Sequence, residues 1–193
     1  MKTKIHIILP ILSLCIIILQ NCTSGIMIST AIIAAKSIND PRSIGTQIDD
    51  KLLETYISNN LSKDKNIKQN TRVINTVYQG KVLLTGQAPN KKLAERAVQI
   101  SIKTKGTKQI FNEIRLHQPI SLRKICIDFW ITTKIRSYLI IKNKIILSNI
   151  KILTENKEVF LLGEITHQEE NMLINTISNI KDIKHITTAF TYI

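Results

Sequence analysis

The sequence predicts an α+β protein made of two tandem copies of one module. Each copy runs α-β-β-α-β, with two helices packed on one face of a three-stranded sheet. Three observations carry this. Val82-Leu83-Leu84-Thr85-Gly86 returns 77 residues later as Val159-Phe160-Leu161-Leu162-Gly163. Leu53, Ile57 and Leu61 match Ile131, Ile135 and Leu139 at an offset of 78, and Ile110 and Ile114 match Ile186 and Phe190 at 76, the slips that loop insertions produce. Finally, 44% of the 193 residues are hydrophobic, enough for one or two small cores and too many for a disordered chain.

In the first copy, Leu53, Ile57 and Leu61 are spaced i, i+4, i+8, one face of a helix. Residues 71–78 alternate toward a strand, Gln79-Gly80 supplies a two-residue turn, and 81–85 returns as the second strand of a hairpin. Pro89-Asn90 opens a second helix with the stripe Leu93, Ala94, Ala97 and Ile100, and after Gly106 residues 108–115 form a third strand. The second copy repeats the order: helix 128–142, strands 150–155 and 158–162 around an Asn156-Lys157 turn, helix 166–179 and strand 184–191. A module of about 70 residues is small for independent stability, which favours packing of one copy on the other.

Ahead of the modules, Met1-Lys2-Thr3-Lys4 and the apolar run Ile5–Leu19 have the charge and length of a signal peptide. Leu19-Gln20-Asn21-Cys22 resembles a bacterial lipobox, which would make Cys22 the lipidated first residue of the mature chain, although Asn21 stands where such motifs prefer a small residue. The alternative is an uncleaved anchor continuing through Ile26–Ala35. Thr23 is not the Asp that, in lipoproteins of this kind, signals retention in the inner membrane, so the resemblance implies the outer membrane. The expected division is 1–21 signal peptide, 22–47 lipidated linker, 48–117 first module and 118–193 second module.

The formal charge is +13, from 27 Lys and Arg against 14 Asp and Glu, and this suggests an anionic partner. Ile makes up about a fifth of the chain, and Lys and Asn are also abundant, so drift of the coding sequence toward A and T is a competing explanation. Residues 48–117 carry 13 basic and 6 acidic side chains, whereas 126–193 carry 8 and 7. No helix-turn-helix pattern and no aromatic interleaving accompany the basic residues of copy one, which argues against nucleic acid. Six glycines form no phosphate-cradling loop, and the four His show no H-x-x-x-H spacing, so neither cofactor nor metal is expected. Cys126 reads as a small apolar linker residue. No nucleophile, base and orienter come together, and the chain does not read as an enzyme.

The two copies differ on the outward side of their first helix. At 100° per residue, Trp130, Lys134, Ser137 and Ile141 fall on one stripe away from the core face, with Phe129 and Ile140 beside it. The corresponding stripe of copy one is Leu52, Tyr56, Asn59 and Lys63. Only copy two therefore carries the single Trp outside the core pattern, near Lys134, Arg136, Lys142 and Lys144. Such a helix suits a lipid interface, and it suits equally a Trp packed between the copies or against Asp40–Asp50.

The module, with its Val-x-Leu-x-Gly strand, resembles the BON domain. The resemblance extends through residues 40–50, Tyr78-Gln79-Gly80-Lys81, Phe111-Asn112-Glu113-Ile114-Arg115, Trp130-Ile131-Thr132-Thr133-Lys134, Thr154-Glu155-Asn156 and Thr187-Thr188-Ala189-Phe190-Thr191. Together these resemble the dual-BON-domain outer-membrane lipoproteins of Gram-negative bacteria, the division- and outer-membrane-stress-associated lipid-binding family. One departure within the modules is Asp182, which occupies the loop position that Gly106 holds in copy one. The resemblance implies binding of anionic phospholipid, phosphatidylglycerol in particular, through the first helix of the second module. It also implies a role in outer-membrane integrity and localisation to division sites. Trp130 and Ile140 carry over most directly; Ser137 and Ile141 share the stripe, and Lys134 and Arg136 are added on electrostatic grounds. The competing expectation is a protein-interaction module whose Trp130 surface, or basic stretch 90–105, binds outer-membrane assembly or division-site proteins.

Overall fold

The structure, a computed structural model, describes residues 42–142 and 146–193. Cys22, the apolar leader and the expected linker up to residue 41 lie outside the described residues, as does Lys144.

The element order is α1 (Ile44–Lys63), α2 (Lys65–Asn70), β1 (Arg72–Tyr78), β2 (Lys81–Ala88), α3 (Lys91–Ile102), β3 (Gln109–Leu116), α4 (Leu122–Lys142), α5 (Ile146–Asn149), β4 (Ile150–Glu155), β5 (Glu158–Ile165), α6 (His167–Ser178) and β6 (His185–Tyr192). Two three-stranded sheets form, ordered β1-β2-β3 and β4-β5-β6. In each, a hairpin pairs antiparallel and a helical crossover brings the last strand in parallel to the middle one.

Three differences from the sequence expectation matter. Helix α1 begins at Ile44, four residues ahead of the module start expected at 48, with the Ser43 hydroxyl accepting from the Thr46 amide as its cap. Helix α4 begins at Leu122 rather than 128, which places Cys126 in an exposed helical turn instead of a linker. The short helices α2 and α5 have too few residues to show a period, and Asp64 caps α2 by accepting from the Asn66 and Ile67 amides.

The hairpin turns have a specific chemistry. Gln79 and Gly80 have φ of 52° and 79°, and Asn156 and Lys157 have 51° and 66°, the left-handed pairs of a type I′ turn that matches strand twist. Each turn is held from its first helix. Buried Asp50 accepts from the amides of Gln79 and Gly80, and buried Asp128, 78 residues on, accepts from those of Asn156 and Lys157. Arg42 pairs with Asp50 at 2.7 Å and lies over the Tyr78 ring.

Side-chain alternation along the middle strands builds three cores. Val82 and Leu84 face the helices of copy one, beside Leu53, Ile57, Leu61, Ala94 and Ala97. Val159 and Leu161 face those of copy two, beside Ile131, Ile135, Leu139, Leu173 and Ile177. Leu83, Phe160 and Leu162 point the other way and meet in a third core with Tyr78 and Ala189. The sheets thus pack on each other with the helices outside, in four layers α/β/β/α. Double-sided burial explains why β2 and β5 read as nearly unbroken apolar runs.

Polar contacts rim the sheet–sheet core. Arg72 Nε and Nη2 donate to the two carboxylate oxygens of Glu155, at 2.9 and 3.3 Å, and Gln87 Nε2 donates to the same carboxylate. Arg115 pairs with Glu158 at 2.7 Å, Gln79 donates to Glu164, Lys81 bonds Thr191, and Lys151 pairs with Glu54 at 2.6 Å. Gln87 also accepts from the Ile120 amide, so the connection between the copies is tied to the same network. Residues 40–193 form one compact unit, and the three cores lie within it.

Candidate functional site: an amphipathic helix with an outward Trp

Helix α4 is anchored through one side and bare on the other. Ile131, Ile135 and Leu139 enter the core, and Asp128 holds the β4–β5 turn, so the helix is fixed in rotation. Trp130 consequently points outward with 65% of its surface exposed, and it takes no part in the core between the sheets. Lys134, Ser137 and Ile141 lie along the same line. Together with Trp130, Thr133 and Tyr138 they surround a shallow depression of about 270 Å³.

The extra N-terminal turns of α4 add residues that the sequence pattern missed. Arg123 lies two turns before Trp130 and almost in line with it, so the stripe Arg123–Trp130–Lys134–Ile141 runs about 27 Å along the helix. Leu122 and Phe129 stand exposed on one flank beside Ile140, and Tyr138 on the other. Arg123 and Leu122 were hidden because 122–127 lacks the strict period of the later turns.

The two small hydroxyls on this face are already satisfied. Thr133 donates to the carbonyl of Phe129 and Ser137 to that of Thr133, so neither hydroxyl would lose a partner on leaving water. Arg136 is exposed but lies about 120° round the helix from Trp130, where its Nη2 donates to the Ile152 carbonyl at 3.3 Å. Of the basic groups singled out from sequence, Lys134 is the one among the described side chains that lies on the Trp130 line.

The local charge differs from the near-neutral formal balance of copy two. Glu155, Glu158 and Glu164 are engaged between the sheets, and Asp128 is buried under α4. The outward side of α4 is thereby left with Arg123 and Lys134, with Arg136 farther round, and no exposed acid of its own.

Among the described residues no group of three or more His, Cys, Asp or Glu is placed to hold a metal ion, and no helix is long and apolar enough to cross a membrane. His167 stacks on Tyr192, which donates to Glu170; that bond raises the phenol pKa. This trio lies at the surface where α6 begins.

The BON domain model matches residues 49–118 and again 127–193. This chain belongs to the BON-domain family. The outer membrane lipoprotein DolP of Haemophilus influenzae is 36% identical over 177 residues, 92% of this chain and 91% of the relative. A protein named 21 kDa hemolysin from Actinobacillus pleuropneumoniae is 38% identical over 154 residues, 80% of this chain and 79% of that one. The C-terminal domain of CdsD, a structural protein of the Type III secretion system of Chlamydia trachomatis, aligns with a TM-score of 0.30 at 12% identity, over 75% of this chain and 67% of that one. That likeness is too distant to argue from. The similarity to the first relative runs along nearly all of both chains.

In this BON protein the matched segments begin inside α1 and inside α4. Both helices extend N-terminally beyond the match, by residues 44–48 and 122–126, and the second extension carries Leu122, Arg123 and Lys124. Gly86 and Gly163, the motif glycines of the two BON modules, are close-approach positions. A Cβ would lie 1.8 Å from the Arg72 carbonyl oxygen at Gly86 and 2.2 Å from that of Asn149 at Gly163. Asp182 has φ of 80°, in the left-handed region that Gly106 also occupies with 103°.

Proposed function

We propose that this protein is a non-enzymatic, lipid-anchored envelope protein that docks on anionic phospholipid, phosphatidylglycerol in particular, through the outward face of α4. The anchor is Cys22 and the two BON modules face the periplasm, where they support outer-membrane integrity. The observation that carries the lipid contact is the exposure of Trp130 and Ile141, at 65% and 81%, in line with Arg123 and Lys134 on a helix whose opposite side is locked in the core. Bulky apolar side chains enter the head-group boundary while cations meet lipid phosphates, at about 1 kcal/mol per cation. An acyl anchor on the same chain raises the local concentration of membrane seen by the helix, so a weak contact suffices.

The test is flotation of a 40–193 fragment with liposomes that contain or lack phosphatidylglycerol. The fragment is expected to float with the anionic liposomes. Trp130→Glu is expected to weaken that binding at least tenfold, and Lys134→Ala about fivefold, the equivalent of about 1 kcal/mol. Equal flotation of Trp130→Glu and the unaltered fragment would overturn the proposed face. Mass spectrometry of the mature N-terminus tests the anchor independently, since an acylated Cys22 is the expected first residue.

A further inference from the structure

Helix α1 carries, at an offset of 78, the counterpart of the α4 stripe. Ile44, Ile48, Leu52 and Tyr56 follow one another at i+4 steps and are each between 45% and 56% exposed. Leu52 stands where copy two has Trp130, and Tyr56 where it has Lys134. The core of copy one uses Leu53, Ile57 and Leu61 instead, so nothing in the fold requires the outer stripe to be apolar.

The surroundings differ from those of α4 in two respects. The loop after α3 lies against α1: Asn60 donates to Thr104, and Gly106 sits beside Leu53. Tyr56 therefore lies between two depressions of about 430 and 520 Å³ and is half sunk instead of protruding. Lys63, Lys103, Lys105 and Lys108 line these depressions, and none of the four has an acidic partner among the described residues. Facing them are Asp49 and Asp50, and Asp50 is already neutralised by Arg42.

We infer that the α1 face is a docking groove for a protein segment that is both acidic and amphipathic, a helix with an apolar ridge and flanking carboxylates. The ridge packs along Ile48, Leu52 and Tyr56, and the carboxylates meet the lysines of the 103–108 loop. A grooved surface receives a ridge better than it enters a lipid interface. The sheet-on-sheet packing also puts α1 and α4 in opposite outer layers, approaching each other only where Ile125 shares a depression with Ser58 and Ser62, so the Trp130 and Tyr56 stripes do not form one continuous face; this second point rests on the lipid contact proposed for α4. The protein would thus bridge an anionic lipid surface and an acidic partner through pseudo-equivalent helices.

The test titrates the 40–193 fragment into a fluorescent synthetic peptide of about 18 residues, or five helical turns, with Leu along one face and Glu elsewhere. A peptide of the same composition with the apolar period scrambled is the control. The patterned peptide is expected to bind at least tenfold more tightly than the scrambled one. Tyr56→Glu, and separately Lys103→Glu/Lys105→Glu, are each expected to weaken binding at least tenfold, while Trp130→Glu and Lys91→Glu/Lys92→Glu leave it unchanged. Equal binding of the two peptides, no binding, or an equal loss with the α3 lysine pair would overturn the groove in favour of none or of unspecific charge attraction. The same variants are floated with phosphatidylglycerol liposomes. A loss with Tyr56→Glu comparable to that of Trp130→Glu would make α1 a lipid surface and overturn the inference. Unchanged flotation of Trp130→Glu would sink the α4 reading while leaving the peptide result standing.

Discussion

At the scale of single residues, the positions that resist change are backbone positions as much as core side chains. Gly86 combines φ of 105° with a neighbouring carbonyl oxygen 1.8 Å from any added Cβ, and the obstacle is backbone that cannot swing aside. Gly86→Ala is expected to destabilise the fold by about 3 kcal/mol, the upper range for overpacking, read as a lower urea midpoint with an unchanged slope. The glycine that ends each Val-x-Leu-x-Gly strand was legible as a repeat, but its cause was not, since the start of the preceding strand that crowds it is a tertiary neighbour. Asp182 is the reverse case. Its occurrence at the Gly106 position was visible from alignment of the copies, and the backbone meets it with the same left-handed conformation.

At the scale of elements, each first helix has two jobs, one per side. Its inner side fills a core and its aspartate ties down a hairpin turn, with two amides accepted by each of Asp50 and Asp128. Asp128→Ala strands two turn amides under α4 and is expected to cost about 3 kcal/mol, with the β4–β5 hairpin losing amide-exchange protection first. The i, i+4 spacing of Ile131, Ile135 and Leu139 gave away the inner side of α4, and by subtraction the outer stripe through Trp130, Lys134, Ser137 and Ile141. The start of the helix was not legible, because Leu122–Ile127 lacks the strict period of the later turns. Arg123 was missed for that reason. Arg136 was read as part of a basic surround, but its carbonyl partner on β4 belongs to another element.

At the scale of the whole molecule, charge is sorted between the copies. Arg72, Lys81 and Arg115 of copy one meet Glu155, Thr191 and Glu158 of copy two, with Lys151–Glu54 as the reversed pair among the described residues. In a pair of two first modules the place of Glu158 would be held by Lys81, so Arg115 would face a like charge, which favours pairing first with second. Glu54 reports on the contact. Burial alone would raise its carboxyl pKa; the attraction and hydrogen bond of Lys151, with the Val77 amide and Lys51, outweigh that and lower it below 4.5. A depressed folded-state pKa means the stabilisation is complete above about pH 4.5 and is lost as pH falls through the folded value. The stability difference between the unaltered protein and Lys151→Met is therefore expected at pH 7 and to shrink below pH 4.5. Carbon NMR of the Glu54 carboxyl should show a higher pKa in the variant, where burial acts with less opposition. A difference independent of pH would show that the pair does not couple the copies.

The sequence by itself determined the module, its duplication, the turns and the helix face that carries Trp130, because those are local periodicities repeated at a constant offset. Only the tertiary structure decided what the charges do. The formal +13 and the near neutrality of copy two are sums over residues. Folding withdraws Glu155, Glu158 and Glu164 into the sheet–sheet contact and buries Asp128, which leaves α4 basic on its outward side. The same packing sends α1 and α4 to opposite layers and makes two different surfaces out of one repeated helix. Linear order records which residues are present; the pairing of charges depends on which strands come to lie face to face.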